Sequence, residues 1–127
     1  MGGTGVAYVD PSTPIRGNAQ AATKTIDPEQ EWQPIQLNSK QQLIAFEAVE
    51  CGYCRRFDKE VLSTWKNSIA IVATNLTTPP KGWQLNQALF ATPTIVLFRN
   101  QQEVARYTGY QGTKHFWTWL EEAASSQ

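Results

Sequence analysis

The chain contains two cysteines, Cys51 and Cys54, in the stretch Glu47-Ala48-Val49-Glu50-Cys51-Gly52-Tyr53-Cys54-Arg55-Arg56-Phe57. A strand-like run, Leu43-Ile44-Ala45-Phe46, precedes them, and a helix-like run follows. Residues i and i+3 share one face of a helix, so a helix starting near Cys51 brings the two sulfurs within bridging range. The two thiols are not equivalent. Cys51 falls on the first turn, beside unpaired backbone N–H groups and the positive end of the helix dipole, which favours its thiolate. Cys54 falls on a stripe continued by Phe57, Val61 and Trp65, spaced as a core-facing helix requires. One exposed, activated sulfur beside one sheltered sulfur suits thiol–disulfide exchange: Cys51 attacks a partner's sulfur and Cys54 resolves the mixed disulfide.

Other uses of the pair are weaker. A structural disulfide closing so short a loop restrains little of the unfolded chain. A zinc site needs about four ligands, and beyond the two cysteines the chain offers a lone His115 far downstream. No metal and no other cofactor is expected.

The elements around the pair follow from patterning. Gln42 to Ala48 is expected to be a strand, followed by a helix from Cys51 to about Lys66. Ile69 to Leu76 is a continuous β-rich run, as in a strand buried on both faces. The run Thr77-Thr78-Pro79-Pro80-Lys81-Gly82 breaks the pattern, and Trp83 to Phe90 is expected to form a short helix, with Trp83 a candidate for lining a groove. Pro93 precedes the strand Thr94 to Phe98. Arg99 to Gln102 reads as a hairpin turn and Glu103 to Thr108 as the return strand. Thr113 is expected to cap a last helix with Phe116, Leu120 and Ala123 or Ala124 inward. Upstream, Trp32 to Leu37 is a short edge strand, the only kind of strand that tolerates Pro34. The order β-β-α-β-α-β-β-α predicts an α/β protein: a mixed sheet of four to five strands with helices on both faces.

The length of 127 residues suits one domain. Eleven basic and eleven acidic residues cancel, which argues against nucleic acid or an anionic membrane as partner. No apolar run approaches the ~20 residues of a spanning helix. Residues 1–26 are dominated by Gly, Thr, Pro, Ala and Asn, and are expected to be a disordered or extended tail before a domain of residues 27–127. That stretch lacks the basic start and apolar core of a secretory leader.

Cys51-Gly52-Tyr53-Cys54 between strand and helix, Thr92-Pro93 before a strong strand, and Gly109 after the hairpin together resemble the thioredoxin fold over about residues 35–125. The Gly-Tyr pair and the Thr before proline are similar to the catalytic modules of the periplasmic DsbC/DsbG isomerases. Phe46-Glu47-Ala48 before Cys51, with Tyr110 and Phe116-Trp117, resembles small SoxW-like thioredoxins of proteobacteria. The resemblance implies that Pro93 is cis and lies against the cysteines, and that Thr92 offers backbone hydrogen bonds to an incoming chain. It also implies that Gly52, Thr92 and Gly109 surround the docking surface. Tyr53 either contacts substrate or shields the disulfide. A thiol–disulfide oxidoreductase is thus expected, acting on protein partners with disulfides or thiols and recycled by a redox partner. It would be monomeric and, by resemblance, periplasmic. An isomerase or oxidase, or a non-catalytic binding module, are the alternatives.

The departures matter too. Cytosolic thioredoxins place a buried Asp six residues before the first cysteine, where this chain has Ala45, and a partner Lys where it has Ala73. Glu47 and Glu50 replace two tryptophans. Glu47 is then the nearby carboxylate that can take the proton of Cys54, with burial raising its pKa towards a useful range; the alternative leaves it in solvent or paired with Arg55 or Arg56. The helix dipole, Arg55 and Arg56 favour the Cys51 thiolate, while Glu47 and Glu50 oppose it. No His or Lys lies between the cysteines, which favours a reducing or intermediate potential over a strongly oxidising one.

Overall fold

The computed structural model describes residues 6–10 and 13–16 as backbone strands and residues 37–126 in full. The elements are β1 (Val6–Asp10), β2 (Thr13–Arg16), β3 (Gln41–Phe46), α1 (Gly52–Glu60), a 3₁₀ turn (Leu62–Thr64), β4 (Ile71–Thr74), β5 (Thr94–Arg99), β6 (Gln102–Thr108) and α2 (Thr113–Ser125). They build one six-stranded mixed sheet in the order β2-β1-β4-β3-β5-β6. β3 runs parallel to β4 and antiparallel to β5, and β6 pairs antiparallel with β5.

The central strands are buried on both faces, which is why they read as continuous apolar runs rather than alternating ones. Leu43, Ala45, Ile71, Ala73, Ile95 and Leu97 meet Phe57 of α1, Val61 at its C-cap, and Phe116 and Leu120 of α2. Phe57 stands edge-on to Phe116 with ring centroids 5.1 Å apart. On the other face Ile44, Phe46, Val72, Val96 and Phe98 form a second cluster.

The α/β fold with a mixed sheet stands as expected. Among the described residues both α-helices lie on one face of that sheet, and an irregular segment contributes Leu76, Trp83, Leu85 and Leu89 to the other. Several expectations about single elements are revised. The helix expected over Trp83 to Phe90 does not form. Gln84 instead bridges to Gln102, and Trp83 packs edge-on against Phe98 at 5.1 Å, a core contact rather than a groove wall. α1 is shorter than expected because i→i+3 bonds, Thr64 N–H to Val61 O and Trp65 N–H to Leu62 O, tighten the chain after Glu60. Gly112, at φ 102°, takes the N-cap place of α2 that was expected of Thr113. The expected tail holds two strands: β1 pairs parallel with β4 and antiparallel with β2. The expected edge strand Trp32 to Leu37 and the domain start at residue 27 fall, except for Leu37, outside the described residues.

The β5–β6 hairpin turns at Asn100 and Gln101, both with positive φ (54° and 69°), as a two-residue turn matched to strand twist requires. β6 in turn anchors the irregular segment. Glu103 and Arg106, both nearly buried, pair at 2.6 Å. Glu103 Oε1 accepts the Asn86 N–H at 2.8 Å, and Arg106 donates to the carbonyls of Gln87 and Ala88, each at 2.9 Å. Burial raises the Glu103 pKa, but the bonds from Arg106 and the Asn86 N–H outweigh it and hold the carboxyl below its usual range. Arg106→Ala leaves that carboxylate buried without its partner, and is expected to cost about 3 kcal/mol. Urea unfolding would read this as a lowered midpoint, and an unchanged midpoint would remove the pair from the account.

Candidate redox site

Cys51 is the N-cap of α1, with extended backbone (φ −141°, ψ 103°). It is joined in a disulfide to Cys54, their Cα atoms 5.2 Å apart. Cys51 is half-buried, whereas Cys54 is fully buried with Phe57, Val61 and Trp65 behind it. The Cys51 Sγ accepts two hydrogen bonds, from the Cys54 N–H at 3.1 Å and from the Thr92 hydroxyl at 3.3 Å. Once the disulfide opens, these donors and the positive end of α1 stabilise negative charge on Cys51. Among the described residues no comparable donor reaches the Cys54 sulfur.

Thr92 reaches the sulfur from the loop before β5, where the Thr92–Pro93 peptide bond is cis. Pro93 is buried, and its carbonyl accepts the Gly109 N–H at 2.8 Å. Gly109 has φ 80°, a conformation that disfavours any side chain. Cys51, Thr92, Pro93 and Gly109 are therefore brought together. Gly52 opens α1 and is exposed; a side chain there would meet nothing within 4 Å. Tyr53 is 59% exposed and points away from the core.

Glu47 follows β3 on the face of Leu43 and Ala45, and its side chain is fully buried. It is not in solvent, and it is paired: Arg55 Nη2 donates to Glu47 Oε1 at 3.1 Å. The same guanidinium binds Asp58 at 3.1 Å. Burial pushes the Glu47 carboxyl up, its hydrogen bond to Asp58 and the Asp58 charge push it further, and Arg55 pulls it back. With the disulfide closed the result is a pKa of about 10, so in the oxidised form the group holds a proton at neutral pH. Arg55 and Arg56 were expected to act on the sulfur. The structure engages them with carboxylates instead, Arg55 with Glu47 and Asp58, Arg56 with Glu60.

Ala45 and Ala73 are register partners in adjacent parallel strands, both fully buried. The place where cytosolic thioredoxins hold a charged pair is thus apolar in this chain, and the buried acid has moved to Glu47. Sequence reasoning missed three residues near the site. Asp58 lies four residues after Cys54, hence on the same helix face; a carboxylate beside an apolar stripe was the available signal. Val49 and Phe90 are 63% and 72% exposed. Their positions two residues before Cys51 and before Thr92 could have marked them.

The sequence matches the family model described as a thioredoxin-like domain over residues 28–124. Among solved structures it is similar to the periplasmic thioredoxin SoxS from Paracoccus pantotrophus (reduced form), with 28% identity and a TM-score of 0.61, covering 66% of this chain and 95% of that one. Thioredoxin f2 from Chlamydomonas reinhardtii shares the fold at 19% identity and a TM-score of 0.54, covering 80% of this chain and 96% of that one. No curated protein matches the sequence. Among the described residues no helix is long and apolar enough to cross a membrane. The family match and the Cys51–Cys54 disulfide together support thiol–disulfide oxidoreductase chemistry in general. With the match spanning most of its length, the chain belongs to the thioredoxin-like family.

Proposed function

We propose that the protein reduces disulfides in protein partners. The asymmetry of the two sulfurs carries this reading: Cys51 is accessible and receives two hydrogen bonds, whereas Cys54 is sealed. The Cys51 thiolate attacks one sulfur of a partner disulfide. The partner's other sulfur leaves with the electron pair and takes a proton from solvent. The Cys54 thiol then gives its proton to the Glu47 carboxylate as its sulfur attacks Cys51 Sγ. The partner's second sulfur leaves as thiolate, and the protein is left with the Cys51–Cys54 disulfide. A protonated Glu47 in the oxidised protein is the expected end state of that transfer. A separate thiol donor reverses these steps to recycle the monomer. The likeness to a periplasmic thioredoxin supports a periplasmic setting.

Gly52, Tyr53, Thr92, Pro93 and Gly109 form the proposed docking surface. Of the large apolar side chains exposed among the described residues, Val49, Tyr53 and Phe90 stand within two positions of Cys51 or Thr92; the other is Val104. Such a rim favours polypeptide over small thiols. Covering Phe90 on docking is worth about 1.5–3 kcal/mol, so Phe90→Ser should lower kcat/KM for a protein disulfide by about 10-fold or more. It should leave the reduction of a small aromatic disulfide unchanged. Equal loss on both substrates would argue against the rim.

The direct test is the turbidity assay of insulin reduction with dithiothreitol. The reading predicts acceleration over dithiothreitol alone. A trace identical to that background would contradict it.

A further inference from the structure

The buried carboxyl of Glu47 has a second acid beside it. Arg55 Nη2 lies 3.1 Å from Glu47 Oε1 and 3.1 Å from Asp58 Oδ2, so one guanidinium holds both groups. One oxygen remains on each acid. Glu47 Oε2 and Asp58 Oδ1 are both buried, and neither receives a hydrogen bond from an N–H donor among the described residues. Two ionised carboxylates on one guanidinium, with one oxygen of each turned away from water, repel each other, which makes the pair a strong base for a single proton. One proton on the pair relieves that repulsion, because a protonated acid can donate to an ionised one.

We propose that Glu47 and Asp58 share one proton in the oxidised protein, and that Asp58 is the positioning residue that keeps this proton next to Cys54. The inference rests on the thiol–disulfide reading above and adds Asp58 to its machinery. Asp58 stands four residues after Cys54 on α1, which sets their Cβ atoms about 5–6 Å apart. When the Cys54 thiol attacks the mixed disulfide, its S–H bond breaks and the proton passes to the acid pair. The Cys54 sulfur forms the new bond to Cys51 Sγ, and the partner sulfur departs with the electron pair of the broken S–S bond. When a donor thiol reopens the disulfide, the Cys54 sulfur leaves with its electron pair and takes the proton back from the pair. The sheltered thiol then exchanges its proton with a fixed store rather than with bulk water.

The charged groups around Glu47 are few. α1 supplies Arg55 and Asp58. The adjacent strand β4 supplies the Thr74 carbonyl, which accepts the Glu47 N–H at 2.7 Å, and its sequence Ile71–Thr74 carries no charge. The loop Ala91-Thr92-Pro93 carries none either.

The test is a carbon-13 NMR titration of side-chain carboxyls in the oxidised protein, with the Glu47 signal assigned by its loss in Glu47→Gln. In the native protein this signal should stay that of a protonated acid through neutral pH. Asp58→Asn, which keeps shape and removes the shared acid, should lower its midpoint by at least about one pH unit. Asp58→Ala should do the same, which guards against a folding fault in either variant, and Asp58→Glu should restore part of the shift. A Glu47 carboxyl already ionised at neutral pH, or a midpoint unmoved in both variants, overturns the proposal. The titration needs no substrate. An unmoved midpoint with normal insulin reduction would therefore sink the shared proton alone, whereas a shifted midpoint without insulin reduction would support the acid pair and sink the functional reading.

Discussion

Replacing Cys51 by serine is expected to reduce insulin turnover to the background of dithiothreitol alone, whereas Cys54→Ser should still attack and then stall with its partner attached. The difference follows from where the two sulfurs sit. Cys51 is the sulfur reached from solvent and held by the Cys54 N–H and the Thr92 hydroxyl. Serine at 51 offers an alkoxide that those donors cannot make accessible at neutral pH, so no mixed disulfide forms. Serine at 54 leaves the first step intact and removes only the sulfur that releases the partner. Non-reducing electrophoresis should show a covalent adduct at Cys51 in Cys54→Ser and none in Cys51→Ser. Neither substitution should unfold the protein, because a disulfide closing so short a loop contributes only about 2 kcal/mol. Adducts of equal yield in the two variants would show that the sulfurs are interchangeable.

Glu47→Gln is expected to slow resolution of the mixed disulfide by about 10²-fold, the lower end of what a positioned proton acceptor contributes. Glutamine keeps the shape, can accept from Arg55 and can donate to Asp58, so the lost function is the proton and little else. The same substitution should change how stability depends on pH. The Glu47 carboxyl has a folded pKa of about 10 against an ordinary value of 4.5. Between those values the folded state holds a proton that the unfolded chain releases, so stability falls as pH rises. The contribution is fully present below about pH 4.5 and is lost as the pH climbs towards 10, at no more than ~1.4 kcal/mol per pH unit. Glutamine carries no such proton. The Tm of oxidised Glu47→Gln should therefore gain on that of the native protein from pH 5 to pH 9, a window inside the one just given. Parallel Tm curves would mean that Glu47 is ionised throughout, and would remove it as proton acceptor.

The parts of the site that depend on local spacing were legible in the chain. Cys54, Phe57, Val61 and Trp65 follow a helical stripe, and all four are buried as that stripe requires. Leu43 and Ala45 set the face on which Glu47 falls, and that face meets α1. What local pattern could not show was tertiary. Trp83 to Phe90 was read as a short helix, yet Trp83, Leu85 and Leu89 cover the sheet from an irregular segment. Glu103 and Arg106, distant in sequence, take up the backbone groups of residues 86–88 that a helix would have satisfied itself. β1 and β2 were invisible for a related reason: their scattered apolar residues carry no sustained period, and the pairing of β1 to β4 and of β2 to β1 is what makes them strands. Arg55 shows the same limit for charge. Its sequence neighbour is Cys54, but its partners are Glu47 and Asp58, and only the fold brings that second acid to the first.

The division of labour between the sulfurs is tested most directly by limited alkylation of the reduced protein with iodoacetamide, followed by peptide mass mapping at early times. The account predicts label on Cys51 with Cys54 unmodified, because only the first is both reachable and held as thiolate. Label appearing on Cys54 first, or on both cysteines at the same rate, would contradict it.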